Sequence, residues 1–152
     1  MAEDQKERVD RELIELLNEI RIALPGLQVM FAFLLTIPFT SRFEGLSAAQ
    51  HDVYYAAFLC TAAGNALLMA PSVNHRLRFR EYDKERMLFW FNDLCIAGSI
   101  FAATAVTCVV FLVTDVVIGH TWAAITCAVA SAWYLFFWYV VPLWRRLRGS
   151  TF

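Results

Sequence analysis

Asn92 and Asp93 stand side by side in RMLFWFNDLCIAGSIFAA, a stretch that otherwise has the composition of a lipid-embedded helix. A carboxylate in such a place costs free energy unless it is paired, hydrated or put to use. Two more polar side chains fall inside apolar runs, Gln28 in LPGLQVMFAFLL and Asn65 in CTAAGNALLMA. One chemistry would use all four. Asp93 would bind and release a proton or a small cation, and Gln28, Asn65 and Asn92 would supply neutral oxygen ligands. The same residues also suit a plainer role as hydrogen-bond glue between helices. In that role Asp93 pairs with Arg21, His75 or Arg86 at the membrane edge.

Other chemistries fail for want of residues. A haem would need two histidines at matching depth, but His51 and His120 flank one set of loops and His75 lies on the opposite side. Cys60, Cys95, Cys108 and Cys127 are spread singly through apolar runs, with no C-x-x-C pair, and read as packing residues. No Ser/His/Asp set, glycine-rich phosphate loop or cluster of carboxylates is present in the sequence. The expectation is a protein that is not an enzyme, with no cofactor and no metal. No sustained basic face suggests nucleic acid as a partner.

The elements that must carry these residues are set by composition. Hydrophobic residues make up 59% of the 152 and charged ones 18%, a balance that makes lipid the solvent. Four apolar runs reach the roughly 20 residues needed to cross a hydrocarbon layer, at about 22–40, 53–72, 87–114 and 122–144. They lack the two-residue alternation of barrel strands, so helices are the only way to satisfy their backbone. Ahead of them, RVDRELIELLNEIRIALPG places Val9, Leu13, Leu16, Leu17, Ile20 and Leu24 at helical spacing among charges. This predicts an amphipathic helix over 8–24, interrupted where Pro25 and Gly26 begin the membrane run. Twelve of the thirteen Lys and Arg residues flank the spans on one side, and only Arg42 lies on the other. Both termini are therefore expected in the cytoplasm. The fold class expected is all-α: a single domain over 1–152, an antiparallel four-helix membrane bundle with a cytoplasmic amphipathic helix before it.

At about 1.5 Å per residue, Gln28, Asn65 and Asp93 each lie about 9–10 Å inside the cytoplasmic ends of their spans. This predicts a shared polar layer. Packing is expected on small faces, Ala124, Ala128 and Ala132 in the fourth span and Ala62, Ala66 and Ala70 beside Gly64 in the second, making these two helices central in the bundle or in an oligomer contact. Trp133, Tyr134, Trp138, Tyr139 and Trp144 suit a lipid-facing interfacial belt. The acidic N-terminal helix is expected against the arginine-rich loop HRLRFREYDKER, whose Arg76, Arg78 and Arg80 are candidates for docking a protein partner. Two functions result: a cation or proton transporter built on Asp93, or a non-catalytic accessory or scaffold subunit. The partners expected are the bilayer, further copies of the chain and a protein at the cytoplasmic face.

The stretch ELIELLNEIRIALPGLQVMFAFLLTIPF, with APSVNHRLRFR after the second span and FND in the third, resembles a family of small membrane proteins found mainly in actinobacteria. Its members are carried as a domain of unknown function, and some bear the label sodium:proton antiporter. The resemblance covers nearly the whole chain and brings no catalytic or ion-binding motif with it. It implies a bacterial cytoplasmic membrane location and a four-helix architecture.

Overall fold

Away from water, each backbone N–H and C=O must find its partner within the chain, and a helix does this locally. The computed structural model describes residues 2–77 and 84–149, with the side chains of 2–6, 84, 85, 146 and 149 outside the description. Its elements are α1 (Ala2–Thr36), two short 3₁₀ turns (Ile37–Phe39 and Phe43–Gly45), α2 (Ala48–Leu77), α3 (Lys84–Val117) and α4 (His120–Leu135). A π turn (Phe136–Val140) and α5 (Val141–Gly149) complete the described chain. No strand occurs among the described residues. Four helices are long and apolar enough to cross a membrane: Glu7–Phe39, Ala48–Leu77, Arg86–Val117 and His120–Arg145. They enclose the expected runs 53–72, 87–114 and 122–144, and all but the last residue of 22–40.

The break expected at Pro25 is absent. α1 is one helix of 35 residues that carries Pro25 in its interior. Proline cannot donate to the carbonyl of Arg21, a loss that would end many helices. Here Leu24 and Leu27, on either side of it, pack into one apolar cluster with Ile20 and Leu68. Neighbouring helices of this kind are what make an interior proline tolerable. The amphipathic segment 8–24 is thus continuous with the first span.

Burial obeys a repeat of seven. Along α2 the buried residues are Tyr54, Ala57, Thr61, Gly64, Leu68 and Pro71, spaced alternately by three and four. In α1 Leu13, Ile20, Leu27 and Leu34 are buried, and in α3 Phe91, Gly98, Ala105 and Leu112. A seam of period 3.5 stays on one side of a helix against near-parallel neighbours.

The chain divides into two compact units. One comprises Met1–Gly45 and Phe58–Ala102, the other Leu46–Ala57 and Ala103–Phe152. In the first unit Leu16, Leu24, Met30, Cys95 and Ala102 surround the buried Ile20, Leu27 and Leu68. Two glycines let backbones come close. A β-carbon on Gly64 would meet Leu27 Cδ2 at 3.0 Å, the Gly98 carbonyl oxygen at 3.4 Å and the Ala102 nitrogen at 3.5 Å. Phe31 stacks on Phe58 with ring centres 5.3 Å apart. In the second unit Tyr54, Ala57, Ala105, Leu112 and Ala123 are buried.

Within the single chain, the alanine stripes expected to pack do not carry this contact, which runs through Gly64 beside them. Ala124, Ala128 and Ala132 are exposed, and Ala123 is the one buried residue described in α4. In α2, Ala66 is exposed, Ala62 and Ala70 are half-buried and Gly64 is buried. The reason is geometric: a stripe of strict four-residue steps drifts about 40° per step around a helix of 3.6 residues per turn, whereas alternating steps of three and four hold their direction. The close approach is between α2 and α3, through Gly64 and Gly98.

Candidate functional site

The expected polar set comes from three helices of the first unit. α1 carries Gln28, α2 carries Asn65, and α3 carries Asn92 and Asp93. Gln28, Asn92 and Asp93 have exposed side chains; Asn65 is half-buried. Asn65 Nδ2 donates to the Thr61 carbonyl of its own helix at 3.1 Å. Its Oδ1 is shut away from solvent and accepts no hydrogen bond among the described residues. A buried acceptor left in this state costs about 1–3 kcal/mol, so it is a place where a donor from outside the chain would be welcome.

The shared level is not what the helices show. Gln28 and Asn65 each lie one residue past the meeting point of Leu27 and Gly64, and Gly98 reaches that same point from α3. Asp93 precedes Gly98 by five residues and Asn92 by six, which displaces them by roughly 8 Å along α3. No hydrogen bond joins Asn92 or Asp93 to Gln28 or Asn65 among the described residues. Depth counted from the ends of apolar runs missed this offset because the helices extend past those ends by different amounts. The expected pairing of Asp93 with Arg21 or Arg86 within one chain is also absent among the described residues. Both arginines are exposed.

Two threonines on these helices are satisfied locally. Thr36 donates to the Phe33 carbonyl at 2.7 Å and Thr107 to that of Ala103 at 2.8 Å. Such back-bonding uses each hydroxyl proton within its own helix. Of the docking candidates, Arg76 is exposed near the end of α2, while Arg78 and Arg80 lie outside the described residues.

A second polar group belongs to the other unit. Asp115 near the end of α3 has a side chain only 11% exposed, beside a His120 that is 80% exposed. One carboxylate oxygen accepts from Gln50 Nε2 at 2.6 Å, and the other lies 3.2 Å from His120 Nδ1. The His120 ring also stands edge-on to Phe111, 5.7 Å between centres. Gln50 is itself held by a capping box. Its Oε1 accepts from the Ser47 backbone N–H at 2.9 Å, and Ser47 Oγ accepts from the Gln50 N–H at 3.3 Å. The spacing S-A-A-Q ahead of an apolar run was the signal in the sequence, since a Ser with Gln three residues later marks a helix start. This clasp ties the N-terminus of α2 to the α3–α4 turn, where Gly119 adopts φ +121°.

None of the four cysteines forms a disulfide, and all are half-buried. Among the described residues no group of three His, Cys, Asp or Glu side chains is placed to hold a metal ion. Compared with known proteins, residues 2–142 match the model of a family of unknown function, DUF6328. No curated protein and no solved structure matches the chain.

Proposed function

Because the chain belongs to the DUF6328 family, whose function is unknown, its role has to be argued from its own residues, and we propose a non-catalytic membrane protein that works by assembly, as an accessory or organising subunit. Four helices of sufficient length and apolarity support a multi-pass protein. The one-sided distribution of Lys and Arg supports cytoplasmic termini, and the resemblance to actinobacterial membrane proteins supports a bacterial cytoplasmic membrane location. The observation that carries the reading is the exposure of Gln28, Asn92 and Asp93 on the single chain. Polar groups that line an ion path within one bundle would face its interior. Polar groups on its outside are positioned to meet another protein. Arg76, exposed at the cytoplasmic end of α2, adds a charged contact for a partner there.

Cation or proton transport is the second reading. It is favoured by the unsatisfied Asn65 Oδ1 and by the exposed carboxylate of Asp93 within the third span. Flux of protons and sodium into liposomes carrying the purified protein separates the two. The accessory reading expects no flux above protein-free vesicles under either gradient. Flux that disappears in Asp93→Asn would replace it with the transporter reading.

A further inference from the structure

Two opposite charges stand on the outside of the first unit. Arg21 on α1 and Asp93 on α3 are both exposed, and neither makes an ion pair or hydrogen bond among the described residues. The contact around Gly64 sets their depths. Leu27, Gly98 and Ala102 all converge on that glycine. Arg21 precedes Leu27 by six residues, and Asp93 precedes Gly98 by five and Ala102 by nine. Along either helix this is a displacement of roughly 10 Å toward the N-terminal end. As first and third spans of a four-span protein, α1 and α3 enter the membrane from the same side. Arg21 and Asp93 therefore lie at the same depth.

Copies of one chain inserted with the same topology can form a closed assembly only about an axis along the membrane normal. Rotation about that axis keeps every residue at its depth. The arginine of one copy thus meets the carboxylate of the next without any vertical shift, and two copies related by a twofold axis make the contact twice. The faces around the charges fit a covered surface. Phe89, Trp90, Ile96 and Ile100 are exposed beside Asp93 on α3. Gln28, seven residues beyond Arg21 on the same side of α1, is exposed as well. Left toward lipid, an unpaired carboxylate at this depth is costly; pairing with a guanidinium removes most of that cost. A second copy is the occupant that needs no further assumption, because this chain carries both members of the pair.

We propose that copies of this chain associate side by side in the membrane through an ion pair between Arg21 of one copy and Asp93 of another. This rests on the assembly reading above and gives it a contact. The test is energy transfer between donor-labelled and acceptor-labelled protein in liposomes at low protein-to-lipid ratio. Wild type is expected to associate, and Arg21→Asp or Asp93→Arg alone to weaken association at least tenfold. Mixing donor-labelled Arg21→Asp with acceptor-labelled Asp93→Arg restores it, since each contact then joins opposite charges again. A pair within one chain would not be restored by mixing, and only folded, inserted chains can give the restored signal. Monomeric wild type, unimpaired single variants or a mixture that stays apart would each overturn the pair. Alkaline extraction of the same vesicles checks insertion: a chain that washes off overturns the membrane reading along with the pair. Ion flux in that preparation, with association restored, would uphold the pair and overturn the accessory role.

Discussion

Gly98 lies so close to Leu68 that a β-carbon on it would stand 2.8 Å from Leu68 Cγ and 2.9 Å from Cδ2. The branch point of a leucine cannot swing aside as its tip can, so α2 and α3 would have to separate. Gly98→Ala is expected to destabilise the protein by about 1–3 kcal/mol, the usual cost of overpacking. Gly64→Ala should cost less, since its closest neighbour at 3.0 Å is the end of the Leu27 side chain. Gly26→Ala meets nothing within 4 Å and should stabilise α1 by about 0.5–1 kcal/mol, the difference in helix propensity. Thermal unfolding in one detergent ranks the three, and equal midpoints for Gly98→Ala and Gly26→Ala would contradict the close approach.

The clasp on Asp115 makes a prediction that two variants test. Gln50→Ala removes both the cap at Ser47 and the 2.6 Å bond to the carboxylate, and should cost about 1–3 kcal/mol. Gln50→Glu keeps the shape but sets two carboxylates against each other. Like charges in contact repel, so this variant should be less stable than Gln50→Ala. Unfolding curves of both variants at pH 7 check this, and a Gln50→Glu variant as stable as wild type would contradict the geometry.

The features legible in the sequence were those set by long-range composition. Each apolar run needed no neighbour to declare itself, because lipid forces such a run into a helix whatever lies beside it. Details that depend on neighbours were not legible. Pro25 breaks or spares a helix according to what packs on Leu24 and Leu27, and that partner, Leu68, comes from α2. The alanine stripe of α4 looked like a contact because its residues are small, yet direction around the helix decides contact, and the buried seam of α2 runs through Gly64 instead. The four polar residues of the expected layer could be named from sequence. Their mutual level could not, since it depends on where helices cross. The pairing of Asp115 with Gln50 was illegible for a similar reason: the two residues are 65 apart in the chain.

The continuity of α1 is testable through two neighbouring isoleucines. Ile20 is 4% exposed within the Leu27 and Leu68 cluster, whereas Ile22 is 82% exposed. Ile20→Ala should cost about 2–4 kcal/mol, from lost contacts and the cavity left behind. Ile22→Ala should stay within about 0.5 kcal/mol of wild type. A separate amphipathic helix lying loosely at the interface would make the two variants alike. Unfolding midpoints, with helix content monitored by circular dichroism, distinguish these outcomes.

The π turn at Phe136–Val140 has a cause one step further along the chain. Pro142 has no N–H to give the Trp138 carbonyl, and its ring crowds that oxygen. The helix widens just before it: the Val141 N–H reaches back five residues to the Phe136 carbonyl. At the front of the turn, the Phe136 N–H is shared between the carbonyls of Ala132 and Trp133. Pro142→Ala restores the missing donor and removes the crowding, so the π turn should close into ordinary α-helix. Losing one extra residue from a turn rotates the C-terminal remainder of the helix by roughly 100°. Two aromatic pairs lead into or lie across this turn, Trp133 on Phe137 at 4.9 Å and Tyr134 on Trp138 at 4.9 Å. Their near-ultraviolet circular dichroism should therefore change, while the far-ultraviolet signal stays that of a helix. Amide exchange over 138–142 should slow in the variant as the four-residue ladder is completed. An unchanged aromatic spectrum together with unchanged exchange would show that proline is not what holds the turn open.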